Sequence, residues 1–160
     1  MGLLQLFIVN SNGGLMFNKA LSSNAGSQQH SHSINDMLRI ASTFHPIHEI
    51  SKQMAPIHGC NGIQRIETSS FVLYSLCSLT GVKFVITSTP DTEGVEKFAA
   101  SIYELYADYV LKNPFYELDQ PIHVELFASS VDKVTKSFPR TLSTVPTSSP
   151  SSSSSRQVTK

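Results

Sequence analysis

The sequence predicts an α/β domain of the α+β type, a five-stranded, mostly antiparallel sheet with elements in the order β-β-α-β-β-β-α-α. Three observations carry that expectation. Residues 3–9 form an apolar run, and Asn10, Ser11, Asn12, Gly13 and Gly14 separate it from Leu15, Met16 and Phe17. Asn and Gly tolerate the positive φ of a tight hairpin, so the chain opens with two antiparallel strands. Residues 62–68, 71–77 and 82–87 are β-branched and aromatic runs broken by Ser69-Ser70 and Leu79-Thr80-Gly81, the pattern of a three-stranded meander. Between hairpin and meander, apolar positions recur every three or four residues, the period of a helix.

That first helix is predicted to start at a Ser33 cap and to place Ile34, Met37, Leu38, Ala41, Phe44, Ile47, His48 and Met54 on one face. Pro46 lies inside it, removes the hydrogen bond to the Ser42 carbonyl, and is expected to kink or split the helix. A second helix is predicted from Asp91 or Thr92 through Val95, Phe98, Ile102, Leu105, Tyr106, Tyr109 and Val110, ending at Asn113-Pro114. A third runs from about Ile122 through Val124, Phe127, Val131 and Val134. The helix joining strands two and three covers one face of the sheet. The last two cover the same face or the other.

Two segments lack apolar periodicity. Residues 19–32 turn to Ser, Asn, Gln, Gly and His and read as an exposed loop within a domain spanning 1–138. Residues 139–160 are a Ser/Thr/Pro tract, too polar to bury itself against the entropy of ordering, and are expected to be a disordered tail, either dispensable or regulatory through phosphorylation.

Composition excludes several function classes. Twelve basic and twelve acidic residues cancel, so no long-range field draws in nucleic acid or an anionic bilayer. Cys60 and Cys77 match no zinc or redox spacing and fit a reducing, cytosolic compartment. The N-terminal apolar run is too short to cross a bilayer and lacks the flanks of a signal peptide; Leu6 breaks the myristoylation pattern after Gly2, and Lys160 is no prenylation site.

Candidate chemistry is sparse. His30, His32, His45 and His48 bring no thiolates or carboxylates at ligand spacing, so His48 reads as a half-buried helix residue and His45 as a surface one. His58 sits two residues from Cys60 on a glycine loop, poor geometry for activating a thiol nucleophile. No phosphate loop, dinucleotide fingerprint or nucleophile elbow is present. Glu93, Glu96, Glu104 and Asp108 read as a solvated helix face. Among the aromatics, Tyr106 and Tyr109 are assigned to the core, and Tyr103 and Tyr116 to either core or interface. Asn113, Pro114, Phe115 and Tyr116 read as a fold-defining turn: Asn caps, Pro stops the helix, and the two rings anchor the turn by burial worth about 1.5–3 kcal/mol each.

The strings Ser42-Thr43-Phe44-His45, Gly62-Ile63 with Ile66-Glu67-Thr68, Phe71, Leu73, and Thr80 through Val85 resemble the synbindin subunits of the transport protein particle, TRAPP. Ile102 through Tyr106, Val110 through Tyr116, Pro121-Ile122 and Glu125 through Phe127 sharpen the match, which covers residues 3–138. The resemblance implies a longin-like fold and a core seat in TRAPP beside a smaller longin-like subunit and Bet-three-type subunits. It implies Rab-family guanine-nucleotide exchange as a property of the assembly, in ER-to-Golgi transport. The chain itself would do no covalent chemistry and need no cofactor or metal. Its location would be cytoplasmic, peripheral at the cis-Golgi and endoplasmic reticulum, with membrane reached only indirectly. Animal members carry a PDZ-like insertion after the first hairpin that this chain lacks. Paired longin-like domains tend to offer their first helices as a GTPase platform, which implies partner contacts at Arg39, Thr43, Glu49 and Lys52. The alternative is another longin-type trafficking module, a small adaptor-coat subunit or a SNARE regulatory domain.

Overall fold

The computed structural model describes residues 2–22, 34–57 and 59–138. Strands β1 (Leu3–Val9) and β2 (Leu15–Ala20) form the hairpin, helix α1 (Ile34–Met54) follows, and β3 (Arg65–Glu67), β4 (Val72–Cys77) and β5 (Lys83–Ser88) complete the sheet. Helix α2 (Val95–Tyr106) continues as a π-helical turn (Ala107–Leu111), and α3 (Glu125–Ser137) ends the described chain. The strand order is β2-β1-β5-β4-β3, every neighbouring pair antiparallel. This is the longin-like α/β arrangement expected from the sequence.

Side chains alternate across a strand, so the interior strand β1 feeds two cores at once. Leu6 and Ile8 point into the larger core with Phe84, Ile86, Phe98, Ile102, Tyr106, Phe127 and Val131, under α2 and α3. Phe7 and Val9 point the other way, joining Val85 against Met37, Ala41 and Phe44 of α1. The three helices therefore divide between the faces, α1 alone on one side. Across the β1/β5 ladder Phe7 faces Val85 and Ile8 faces Phe84, so one register serves both layers.

Several boundaries differ from expectation, each for a local reason. Lys19 and Ala20 belong to β2, not to a loop, because Lys19 Nζ donates to the Ala128 carbonyl and pairs with Asp132 at 2.7 Å, pinning the strand to α3. Strand β3 is three residues long instead of seven, since Gly62 at φ +79° turns the chain just before it. Helix α1 runs through Pro46 as one element and is not split. Helix α2 starts at Val95, after a turn in which the Thr92 N–H donates to the Thr89 carbonyl at 3.1 Å. Helix α3 starts at Glu125, because the Ile122 N–H is taken by the Met16 carbonyl of β2.

Tyr109 was expected in the core with Tyr106, but Tyr106 is buried and Tyr109 is 36% exposed. The π turn explains the separation. A Lys112 N–H donating to the Ala107 carbonyl, five residues back, widens the helix here, and Val110 takes the inward position that Tyr109 gives up. The remainder of the expected loop, residues 23–32, the expected Ser33 cap and the expected disordered tail lie outside the described residues.

Candidate partner-binding face on the first helix

Helix α1 seats on the sheet through Met37, Ala41, Phe44 and His48, a run of i, i+4, i+7, i+11 positions. A charged group lies beneath its C-terminal half. Lys83, on the central strand β5, has a side chain only 2% exposed. Its ammonium donates to Glu49 Oε1 at 3.2 Å, to His45 Nδ1 at 3.1 Å and to the Gly81 carbonyl at 3.3 Å. Three N–H groups thus meet three acceptors, the condition for holding a buried ammonium. His45 accepts at Nδ1 only as neutral imidazole, which matches its pKa: burial first, then Lys83, lowers it. Glu49 is shared with Lys52 at 3.0 Å, and Lys52 followed by Lys83 holds its carboxyl below the usual range.

Removing one partner of this latch and removing its charge have opposite consequences. Glu49→Ala strands the Lys83 ammonium; because Glu49 is itself more than a third exposed, the expected loss is discounted to about 1–3 kcal/mol. Lys83→Met, apolar and of similar length, is expected to leave stability unchanged or slightly raised. Urea unfolding of the two variants checks the contrast.

His48 is fully buried, tilted against Phe44 at a ring separation of 5.7 Å, and neither ring nitrogen has a hydrogen-bond partner among the described residues. Gly62 lies directly on it: a Cβ there would sit 2.9 Å from His48 Cε1 and 3.0 Å from its carbonyl oxygen, in a backbone at φ +79° that favours glycine anyway. Burial, followed by Lys52 and Lys83, lowers the His48 pKa from the usual 6.5. A histidine with a lowered folded pKa binds its proton more readily in the unfolded chain, so stability falls as pH drops below about 6.5. The Glu49 contribution is lost only further down, below about 4.5, so the windows separate. Unfolding measured from pH 7.5 to 5 should show this slope, and the double variant His45→Gln/His48→Leu should flatten it.

The outer face of α1 is apolar where a solvated helix would be polar. Ile40, Ile47, Ile50 and Met54 are exposed, the last three at 49%, 53% and 78%. With Thr43 they fall at positions 40, 43, 47, 50 and 54, alternating steps of three and four that make one stripe along the helix. Ile34, Leu38, Ile47 and Met54, expected on the buried face, are exposed. The sheet accepts only a narrow strip of α1, because Phe7, Val9 and Val85 are the buried strand residues meeting it.

The four residues implied as partner contacts divide between two environments. Arg39 and Thr43 are exposed on the outer side, Arg39 with Asp36 at 4.0 Å. Glu49 and Lys52 are half-buried in the latch with Lys83. Sequence reasoning missed Lys83. Its signal was a lone lysine inside the apolar run of Val82, Phe84, Val85 and Ile86, a position that requires a counter-charge from a covering element.

In the expected turn, Asn113 Oδ1 accepts from the Phe115 N–H at 3.1 Å and the Asn113 carbonyl accepts from the Tyr116 N–H at 3.1 Å. Tyr116 packs on the large core and its hydroxyl donates to the Gln120 carbonyl at 2.7 Å; burial pushes its pKa up to about 12. Phe115 does not anchor the turn by burial, being 93% exposed. Proline before it and the Asx hydrogen bond hold its backbone with the ring outward.

No group of three or more His, Cys, Asp or Glu among the described residues is placed to hold a metal ion, and no described helix is long and apolar enough to cross a membrane. His30, His32 and His58 lie outside the described residues, so the proposed His58–Cys60 proximity has no geometry to report. Cys60 is exposed and Cys77 half-buried, both free.

Helix α1 is thus anchored on one side by a buried latch and carries exposed apolar side chains on another. Residues 3–138 match the model of the Sybindin-like family, and the chain belongs to that family. It is 44% identical over 93 residues to trafficking protein particle complex subunit 4 of Bos taurus, covering 58% of this chain and 42% of that one. The subunit 4 of Dictyostelium discoideum is 35% identical over 130 residues, covering 81% of this chain and 93% of that one. Subunit 1 of Rattus norvegicus is 30% identical over 94 residues, covering 58% of this chain and 65% of that one. The matched stretch thus spans less than half the length of the bovine relative.

Proposed function

We propose that this chain is a core subunit of the TRAPP tethering complex and contributes to Rab guanine-nucleotide exchange, in ER-to-Golgi transport, through protein contacts alone. The observation that carries the reading is the apolar stripe Ile40, Ile47, Ile50 and Met54 on a helix already secured to its own sheet. Exposed apolar side chains in a line gain free energy only when another surface covers them. The likeness to relatives named trafficking protein particle complex subunits 4 and 1 supports a TRAPP assembly as the source of that surface.

The mechanism asks no bond-making of the chain. Exchange requires a surface complementary to a GTPase conformation whose switch loops are displaced, which shifts its population toward weak nucleotide binding. Arg39 beside the stripe and Thr43 within it would supply polar contacts to the partner. Glu49 and Lys52 would act indirectly, by holding the helix to Lys83. The chain would be cytoplasmic and reach cis-Golgi and endoplasmic reticulum membranes through its partners.

Co-expression of the tagged chain with the other TRAPP core subunits tests this. Recovery in near-equal amounts, with Rab exchange that falls when the chain is omitted, is the expected result. Recovery of the folded chain alone would overturn the reading. Alanine at Arg39 and Thr43 should reduce exchange or assembly several-fold.

A further inference from the structure

The segment after the π turn presents a second apolar surface, on a different part of the molecule from α1. Leu111, Phe115 and Leu118 are all exposed, and Phe115 is the most exposed aromatic ring among the described residues. Such rings usually turn inward unless the backbone prevents it. Here the backbone is fixed at both ends. Asn113 takes hydrogen bonds from Phe115 and Tyr116, Tyr116 is held by the core and by Gln120, and the Ile122 N–H is bonded to Met16 of β2. Asp119 holds a left-handed φ of 67° between them. Little conformational entropy remains to be lost when a partner covers the ring, which favours binding.

The stretch of sequence that carries this surface is acidic although the whole chain is neutral. Between positions 104 and 126 stand Glu104, Asp108, Glu117, Asp119 and Glu125 against one lysine, Lys112, a net charge of −4; Lys112 is itself paired with Asp108. That balance selects among occupants. An anionic bilayer and nucleic acid are repelled. A second copy of this chain would bring the same negative rim against itself. An apolar pocket rimmed by lysine and arginine on a different protein fits both the ring and the charge.

We propose that residues 111–119 form a docking knuckle that inserts Phe115 into a basic-rimmed apolar pocket of another subunit. The proposal rests on the reading that the chain works within a TRAPP assembly, and it adds a second contact remote in sequence from α1. Phe115 is the anchor, Leu111 and Leu118 flank it, and Glu117 and Asp119 meet the partner's cations.

The test uses the chain co-expressed with the other TRAPP core subunits. Wild type competes for incorporation with Phe115→Ala/Leu118→Ala and, separately, with Glu117→Lys/Asp119→Asn; asparagine tolerates the left-handed φ at 119. Both side chains of the first pair are exposed, so its melting temperature should match wild type. Its incorporation should fall at least about tenfold, the effect of losing one anchor residue. The charge variant should incorporate less well at low salt and approach wild type as salt rises. A photo-crosslinking phenylalanine analogue at 115 should join a lysine- or arginine-flanked apolar segment of another subunit. Equal incorporation of Phe115→Ala/Leu118→Ala, or a cross-link to lipid or to a second copy of this chain, would overturn the knuckle while leaving assembly through α1 intact. Failure of the wild-type chain to incorporate at all would overturn the assembly reading and the knuckle with it.

Discussion

Replacing Ile47 and Ile50 with aspartate is expected to keep the chain out of the proposed assembly without unfolding it. The two side chains sit one turn apart in the middle of the α1 stripe, half exposed in the free chain, and are not members of the buried cluster that holds the helix. Loss of a central apolar anchor costs about 2–4 kcal/mol of association, roughly 30- to 1000-fold in affinity, and two desolvated carboxylates add to that. Stability should change little, since exposed substitutions usually stay within about 0.5 kcal/mol. Co-purification with the remaining subunits reads the first effect and thermal unfolding of the purified chain reads the second. Loss of both together would mean that the stripe holds the fold and not a partner.

The larger effect on the fold itself is expected at Phe127. This ring is fully buried at the start of α3 and meets Phe17 of β2 edge to face, centroids 5.0 Å apart at 72°. It ties the last helix to an edge strand, beside the Lys19–Asp132 ion pair. Phe127→Ala should cost about 3–5 kcal/mol, the transfer and cavity terms together, whereas Phe127→Leu should cost clearly less because most of the volume remains. Against a total domain stability of about 5–15 kcal/mol, the alanine variant should show a sharply lowered urea midpoint. An edge strand losing its cover also becomes open to pairing with other chains, so the alanine variant should aggregate during refolding. A midpoint near that of wild type would show that α3 contributes little to the core.

Local pattern was enough to read the fold. The hairpin was announced by Asn12-Gly13-Gly14, and Gly13 does adopt φ +88° while the Asn10 side chain accepts from Gly14 and Asn12. The meander followed from three β-branched runs, and each pairs as expected. Which face each helix covers was not legible, because alternation in β1 is hidden when both sides are buried: Leu6, Phe7, Ile8 and Val9 are all apolar. The π turn was equally hidden, since no residue in 107–111 signals the extra backbone step that turns Tyr109 outward.

The candidate site was half legible. Apolar periodicity in α1 located the helix but merged two faces, since Leu38 and Ile47 fit a helical pattern whether they face a sheet or a partner. Glu49 and Lys52 look like an exposed i, i+3 pair in the sequence, and only the fold brings Lys83 beneath them. Phe115 was read as an anchor because an aromatic beside proline usually buries itself, and the Asx turn reverses that direction.

The central claim is that a partner covers the outer face of α1, and side-chain accessibility measures it directly. In a Cys60→Ser/Cys77→Ser background, which removes both native thiols, Ile47→Cys is labelled with a maleimide in the free chain and in the co-expressed complex. Rapid labelling of the free chain and strong protection in the complex is the predicted result. Equal labelling in both, with the chain fully incorporated, would contradict it and place the contacts elsewhere on the molecule.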